Sequence, residues 1–260
     1  MAPAGGGIDG TGFWLLTGGA SFIGTHLCRA PHAAGGVVRV LDDCSTGHAA
    51  TVPHGCDVLR GDVTDPTLLR HAFAGVAGCF HLAAIASVAC SLEDWAGTHR
   101  VDAGGSVAVL DAAGAAGCVP VVYASSSAVY GNQGSTIGVV ARLAAGVPAD
   151  EELVVHGDGL QVRDVVFVAD AVAHLRAAKA VLRGAPGAGF ANVCTGRPTT
   201  VLDVAAGVGR ATGRMPRLRH VAARTGDIRH SLGDPGLAAA TLGLRAATML
   251  DDGLRATIAP

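Results

Sequence analysis

Phe13-Trp14-Leu15-Leu16-Thr17-Gly18-Gly19-Ala20-Ser21-Phe22-Ile23-Gly24 is the stretch that decides the fold. Phe13 to Leu16 predict a short apolar strand and the glycines a tight turn. Phe22, Ile23 and Leu27 then supply the apolar face of a helix. Val37-Val38-Arg39-Val40-Leu41 reads as a second strand ending in Asp42-Asp43. Strand, glycine turn, helix, strand and acid, with the acid about twenty residues after the turn, is the dinucleotide-binding order. Glycines let the backbone approach a pyrophosphate, whose charge rests on the amides and dipole of the helix N-terminus. Asp42 is expected to accept hydrogen bonds from a ribose and to repel a 2′-phosphate, which favours NAD over NADP. Two residues depart from the pattern. Ser21 stands where the middle glycine belongs, and its Cβ is expected to crowd the phosphate. Pro31 interrupts the helix at a cost of about 3 kcal/mol unless the helix ends early.

Outward from this stretch the alternation continues. Asp57 to Arg60 reads as a third strand, and Pro66 to Ala74 as a helix capped by Asp65 or Thr64. Cys79 to Ala84 reads as a fourth strand, Val101 to Ala116 as a helix, and Val119 to Ala124 as a fifth strand. Short strands alternating with helices predict an α/β fold with a doubly wound parallel (Rossmann) sheet. His81 reads as a strand-end histidine with a satisfied hydrogen bond in preference to an acid-base group.

Composition narrows the function classes. The chain has 260 residues, 50% of them hydrophobic, with 38 glycines, enough for a full core with many turns. Its net charge of −2 gives no nucleic-acid face. The longest apolar run, Val76 to Cys90, is broken by His81 and too short for a bilayer. With no basic leader before an apolar core, a cytoplasmic protein is expected. Seven cysteines with no CxxC spacing point to free thiols. Cys44, His48, His54 and Cys56 match no zinc spacing, so no metal is assigned.

The blocks TGGASFIG (17–24), VLDDCSTG (40–47), GDVTD (61–65), FHLAAIASVACS (80–91), YASSSAVYG (123–131), GDGLQVRDVVFVAD (157–170), FANVCTG (190–196) and GDIRHS (226–231) occur in one order along nearly the whole chain. They resemble the extended short-chain dehydrogenase/reductases of the nucleotide-sugar epimerase and dehydratase group. The resemblance implies that Gly18, Ser21, Phe22, Ile23, Gly24, Asp42 and Asp43 hold NAD, that Asp62 and Val63 flank the adenine, and that Leu82, Ala83 and Ala84 line the cofactor. It implies that Arg163 and Arg229 grip the diphosphate of a UDP-hexose substrate, a geometry suited to a guanidinium fork. The other reading of these arginines is structural ion pairing, with Asp164 and Asp227 as partners.

The serine block selects among reactions. Relatives that eliminate water carry an acid between the catalytic hydroxyl and Val-Tyr-Gly. Ser127 and Ala128 occupy those places here, so SSSAVYG is similar to the 4-epimerases. Counted back from Tyr130, Ser126 matches the catalytic hydroxyl, and Ser125 or Ser127 can substitute. The family's general base is a tyrosine in Tyr-x-x-x-Lys, one helix face bearing both groups so that the ammonium lowers the phenol pKa. The only tyrosines are Tyr123 and Tyr130, followed four residues on by Ser127 and Gly134. Lys179 is the only lysine, with Leu175 four residues before it. The resemblance implies that on the order of fifty residues are missing after Asn132-Gln133-Gly134-Ser135, including the helix that relatives use in a homodimer interface.

The expected organisation is therefore an NAD-binding domain over 1–134 and a small, partly truncated substrate domain over 135–260, with 190–196 returning to the main sheet. Strands are expected at 152–156, 162–168 and 190–193. Helices are expected at 170–182 with Asp170 as N-cap, at 201–212 ending at Gly213, from Asp234-Pro235 onward, and at 250–257. Three functional readings follow: an NAD-dependent 4-epimerase with Ser126 and Tyr130 at its centre, a catalytically silent NAD or sugar-nucleotide binder, and a redox or metal domain using the Cys44–Cys56 loop.

Overall fold

β1 (Phe13–Thr17), β2 (Val38–Asp42), β3 (Asp57–Arg60), β4 (Val76–His81) and β5 (Val121–Tyr123) form one parallel sheet in the order β3-β2-β1-β4-β5. The computed structural model describes residues 13–33, 38–130, 139–147, 149–184, 187–223 and 227–258. Leu16 lies opposite Val40 on one side and Phe80 on the other, so β1 is the centre of the sheet. The helices of this part are α1 (Phe22–Ala33), α2 (Pro66–Ala72), α3 (Val88–Glu93), α4 (Trp95–His99) and α5 (Gly105–Ala115). This is the doubly wound arrangement of a Rossmann sheet.

Side chains alternate across β1 and feed two cores. Leu15, Leu41 and Cys79 pack with Leu69, Phe73, Val109 and Ala113, which α2, its end and α5 contribute. On the opposite face Trp14 lies 4.8 Å from the Phe80 ring. Gly78 makes room for the indole, because a Cβ there would come within 2.5 Å of it. Lys179 Nζ sits 4.8 Å above the same indole, a cation–π contact.

Asp65 caps α2 by accepting from the amides of Thr67 and Leu68, and Pro66 opens the helix where its missing N–H costs nothing. α1 passes Pro31 and ends at Ala33, so the lost ladder bond falls in the last turn instead of halting the helix. Two elements differ from expectation. β4 begins at Val76 and ends at His81, not over 79–84; Gly78, a weak strand former, is needed beneath Trp14. The helix expected at Val101 starts at Trp95, capped by Asp94, and reaches α5 through a π-helical turn at Arg100–Gly104. Val37 lies outside the described residues, as do Gly131 to Gly138 with the junction after Tyr130, and Gly226.

The chain divides into two compact units. One takes the described residues up to Ser125 together with Leu175 to Gly187; the other takes Ser126 to His174 and Ala188 onward. The second contains α6 (Val139–Gly146), β6 (Glu152–His156), β7 (Val162–Arg163), the start of α7 (Val168–Gly184), β8 (Thr199–Thr200), α8 (Val201–Thr212), β9 (Arg217–Val221), β10 (His230–Ser231), α9 (Gly236–Leu242) and α10 (Leu250–Ile258). Its core joins Leu143, Leu153, Val204, Val208 and Leu254. α8 opens with a reciprocal Thr200–Asp203 capping box and stops at Gly213 in the left-handed region, φ 69°.

Here too the strands depart from expectation. β6 pairs in parallel with β9, and β7 pairs with β8 and β10, so 152–156 and 162–168 are not neighbouring strands about one turn. β7 ends after Arg163, since Asp164 turns its carboxylate onto the amides of Thr195, Gly196 and Gly233. Phe190 to Val193 has no ladder partner among the described residues; the backbone just beyond it is held by Asp164. Asp170 is not the N-cap of α7. It lies within the first turn, and its carboxylate accepts from the Thr248 amide.

Candidate functional site

Gly18 leaves β1 at φ +72°, and a Cβ on it would stand 2.7 Å from the Ala83 amide nitrogen. A Cβ on Gly24 would collide with the Gly18 carbonyl. Both positions need glycine for approach and, at Gly18, for conformation. Ser21 does not lean into this space. Its Oγ donates to the Gly18 carbonyl at 2.6 Å and accepts from the Gly24 amide at 3.2 Å. The hydroxyl therefore caps α1, and the Phe22 and Ile23 amides follow in the first turn, which has no intrahelical acceptors.

Asp42 is turned inward. One oxygen accepts from the Ala20 amide and the other from the Cys44 amide, both at 2.8 Å, and the side chain is buried. The carboxylate thus ties the glycine turn to the end of β2, a use that competes with the expected ribose contact. Asp43 is the exposed acid; it accepts from the amide and hydroxyl of Ser45. Gly47 packs directly on Ala20, which brings the segment after β2 onto the glycine turn.

Asp62 accepts from the Thr64 amide at 2.8 Å and from Arg100 at 3.1 Å. Burial alone would raise its pKa, but hydrogen bonds from Thr64 and Arg100 hold it below the usual value. Val63 points into the core beneath Gly105. Leu82 and Ala83 run beside the turn, with their amides on the carbonyl and hydroxyl of Thr17, while Ala84 is exposed.

The end of β4 carries a closed polar chain. His81 is 1% exposed; Nδ1 lies 2.6 Å from Thr17 Oγ1 and Nε2 lies 3.1 Å from Ser106 Oγ. Ser106 donates to the Asp102 carbonyl, and Asp102 Oδ1 accepts from the Ile85 amide. Burial lowers the His81 pKa to about 4, against a weaker upward pull from Asp102, so the ring is neutral at physiological pH. The Tyr123 ring stacks on it at 5.5 Å, where β5 ends.

Ser125, Ser126 and Ser127 follow, all exposed, and Ser127–Tyr130 form a 3-10 turn closed by the Val129 amide on the Ser126 carbonyl. Tyr130 is 64% exposed and donates to Asn192 Oδ1 at 2.9 Å. This site is the mouth of an open turn carrying hydroxyls.

The two arginines meet carboxylates. Arg229 forms a bidentate pair with Asp158, at 2.6 and 2.7 Å. Those hydrogen bonds pull the Asp158 pKa down to about 2. Arg163 bonds the carbonyls of Val162 and Ile228 and pairs with Asp227 at 2.8 Å. Arg163 ends β7 and Arg229 immediately precedes β10, its paired strand, with the Val162 amide bonding the Arg229 carbonyl. Arg163 thus has a carboxylate partner, Asp227, which is one of the two acids named for it from the sequence. Among the described residues no cluster of three His, Cys, Asp or Glu is placed to hold a metal, and no helix is long and apolar enough to cross a membrane.

Residues 14–139 match the NAD dependent epimerase/dehydratase family. That stretch, just under half of the chain, carries the family's sequence pattern. The UDP-glucose 4-epimerase of Streptomyces lividans is 36% identical over 124 residues, which are 46% of this chain and 38% of that protein. The chain thus spans under two fifths of that curated relative in the match. Among solved structures, the UDP-glucose 4-epimerase of Thermotoga maritima with UDP-glucose superposes with a TM-score of 0.85 at 25% identity, covering 95% of this chain and 97% of that one. The UDP-glucose 4-epimerase of Brucella ovis in complex with NAD gives 0.85 at 25% identity, covering 95% and 98%.

The glycine turn, the Leu82–Ala84 segment and the serine turn were readable from their motifs. Asn192, Ser106, Asp102 and Thr17 were not singled out as parts of these networks. Thr17 lies in TGGASFIG and Asn192 in FANVCTG, but the bonds from Thr17 to His81 and from Tyr130 to Asn192 join residues more than sixty apart in sequence.

Proposed function

We propose that this chain is an NAD-binding, nucleotide-sugar epimerase of the UDP-hexose 4-epimerase type. The observation that carries the reading is the Gly18–Gly24 turn. A Cβ at Gly18 would strike the Leu82–Ala83 backbone and one at Gly24 the Gly18 carbonyl, so the turn is drawn tight against the sheet, and the first-turn amides of α1 are what can cradle a pyrophosphate. The match to the family over 14–139 and the likeness to epimerases solved with NAD and with UDP-glucose support the same ligands. Bound NAD would supply transient oxidation at C4 of the sugar. Gly18, Gly24 and the Phe22 and Ile23 amides hold the dinucleotide, with Asp43 the accessible acid for its ribose. Ser126 hydrogen-bonds the 4-oxygen, and Arg229 holds the diphosphate after leaving Asp158.

One observation favours a second reading, a binder without turnover. Neither tyrosine has a lysine four residues on, and Lys179 is engaged over Trp14. Calorimetric titration with NAD, followed by a UDP-glucose to UDP-galactose interconversion assay on the same sample, tests both. Binding with turnover supports the epimerase. Binding without turnover on any sugar nucleotide selects the silent binder. No binding at millimolar NAD removes both.

A further inference from the structure

Tyr130 closes the 3-10 turn that begins just after Ser126, and its hydroxyl donates to Asn192 Oδ1 across 2.9 Å. Asn192 opens a short segment whose far end is fixed. Thr195 gives both its amide and its hydroxyl to Asp164 Oδ1 at 2.7 Å, and the Gly196 amide reaches Oδ2 at 2.9 Å. The Gly233 amide joins that second oxygen at 3.3 Å. Between these points Cys194 is buried, and a Cβ on Gly233 would stand 2.7 Å from its side chain.

Asp164 directly follows Arg163 at the end of β7. Two residues before Asp164, the Val162 amide bonds the Arg229 carbonyl. A continuous frame therefore runs from the serine turn, through Asn192 and Asp164, to Arg229, and all of it lies in one compact unit. Several donors on one carboxylate make Asp164 its rigid end. The Tyr130–Asn192 bond is its exposed end, where the frame can be cut without opening a core.

We propose that Asn192 is a positioning residue that, through Tyr130, sets the distance between the Ser126 hydroxyl and Arg229. This rests on the nucleotide-sugar reading above, in which Ser126 meets the 4-oxygen and Arg229 the diphosphate. A pyranose joined to a diphosphate spans a limited range of lengths. Both of its ends are engaged at once only when the serine turn stands at the matching distance. Asn192 acts here through Tyr130 and need touch neither end of the ligand.

Titration calorimetry of the full chain with NAD present, using UDP and UDP-glucose as separate ligands, tests this. UDP reports the arginine end alone, whereas UDP-glucose reports both ends. Asn192→Leu and Tyr130→Phe each remove one partner of the exposed bond. Each should weaken UDP-glucose binding about fivefold, the effect of losing one hydrogen bond, and leave UDP binding unchanged. The double variant should bind no more weakly than either single one, because a single bond joins the two side chains. Equal losses for UDP and UDP-glucose would show a merely structural contact and overturn the proposal. So would unchanged UDP-glucose binding in Asn192→Leu, or losses that add in the double variant. Failure of the underlying reading looks different: the unsubstituted chain then binds neither ligand, which removes this role of Asn192 with it.

Discussion

His81 Nδ1 and Thr17 Oγ1 stand 2.6 Å apart at neighbouring strand ends, and both side chains are closed to solvent. This contact fixes the ring from one side while Ser106 fixes it from the other. It also makes the imidazole a pH-dependent element of the fold. The folded pKa is about 4, below the value of 6.5 for the free side chain, because burial disfavours the imidazolium. The unfolded chain therefore binds the extra proton between pH 6.5 and 4. The stabilisation is complete above that window and drains away as pH falls through it, a loss of about 3 kcal/mol. Urea midpoints at pH 7 and 4.5 should show the slope. His81→Gln should flatten it and cost about 2 kcal/mol at pH 7.

Gly18→Ala places a Cβ against the Ala83 backbone at positive φ. Neither neighbour is a flexible side chain end, so strain of about 1–3 kcal/mol is expected. NAD affinity should fall at least about tenfold, the equivalent of 1.4 kcal/mol. Calorimetry alongside circular dichroism separates the loss of the cradle from loss of the fold.

Ser21 offers a sharper comparison. Ser21→Ala deletes the cap on the Gly24 amide and should destabilise by about 1 kcal/mol, whereas Ser21→Gly should cost only a few tenths. Because the hydroxyl is folded back onto Gly18, Ser21→Gly should leave NAD affinity within about threefold, under 1 kcal/mol. A large gain in affinity would mean that the Cβ crowds the phosphate after all.

Arg163 and Arg229 should respond differently to truncation. Arg163→Ala strands the half-buried Asp227 and two carbonyls, so a loss of about 3 kcal/mol in stability is expected. Arg229→Ala breaks an exposed pair, and its effect should appear in UDP binding with the melting temperature nearly unchanged. Asp158→Asn removes the competing carboxylate and should tighten UDP binding, measurable by titration calorimetry.

The central fold was readable because its determinants are local. Gly18 and Gly24 are dictated by steric contact, Asp65 by the amides two and three residues on, and Gly213 by its left-handed backbone. What escaped depends on partners remote in sequence. Asp42 carries a motif acid, yet nothing nearby tells that the Ala20 amide claims its inner oxygen. Asp170 looked like a cap until Thr248, 78 residues on, took its carboxylate. β9 reads Arg-Leu-Arg-His-Val, and its pairing with β6 spans more than sixty residues. The arginines of GDGLQVRD and GDIRHS were legible as cations; the carboxylates facing them were not.

Trp14 and Trp95, the only two tryptophans, occupy opposite optical environments. Trp14 is sealed against Phe80 beneath the chain's only lysine, while Trp95 is 73% exposed beside His99. Iodide should quench the emission of one indole and spare the blue-shifted remainder. That remainder is a built-in fluorophore at the centre of the sheet. Acylating Lys179 should perturb it when the sheet face opens, giving a native optical clock for the unit that carries the glycine turn.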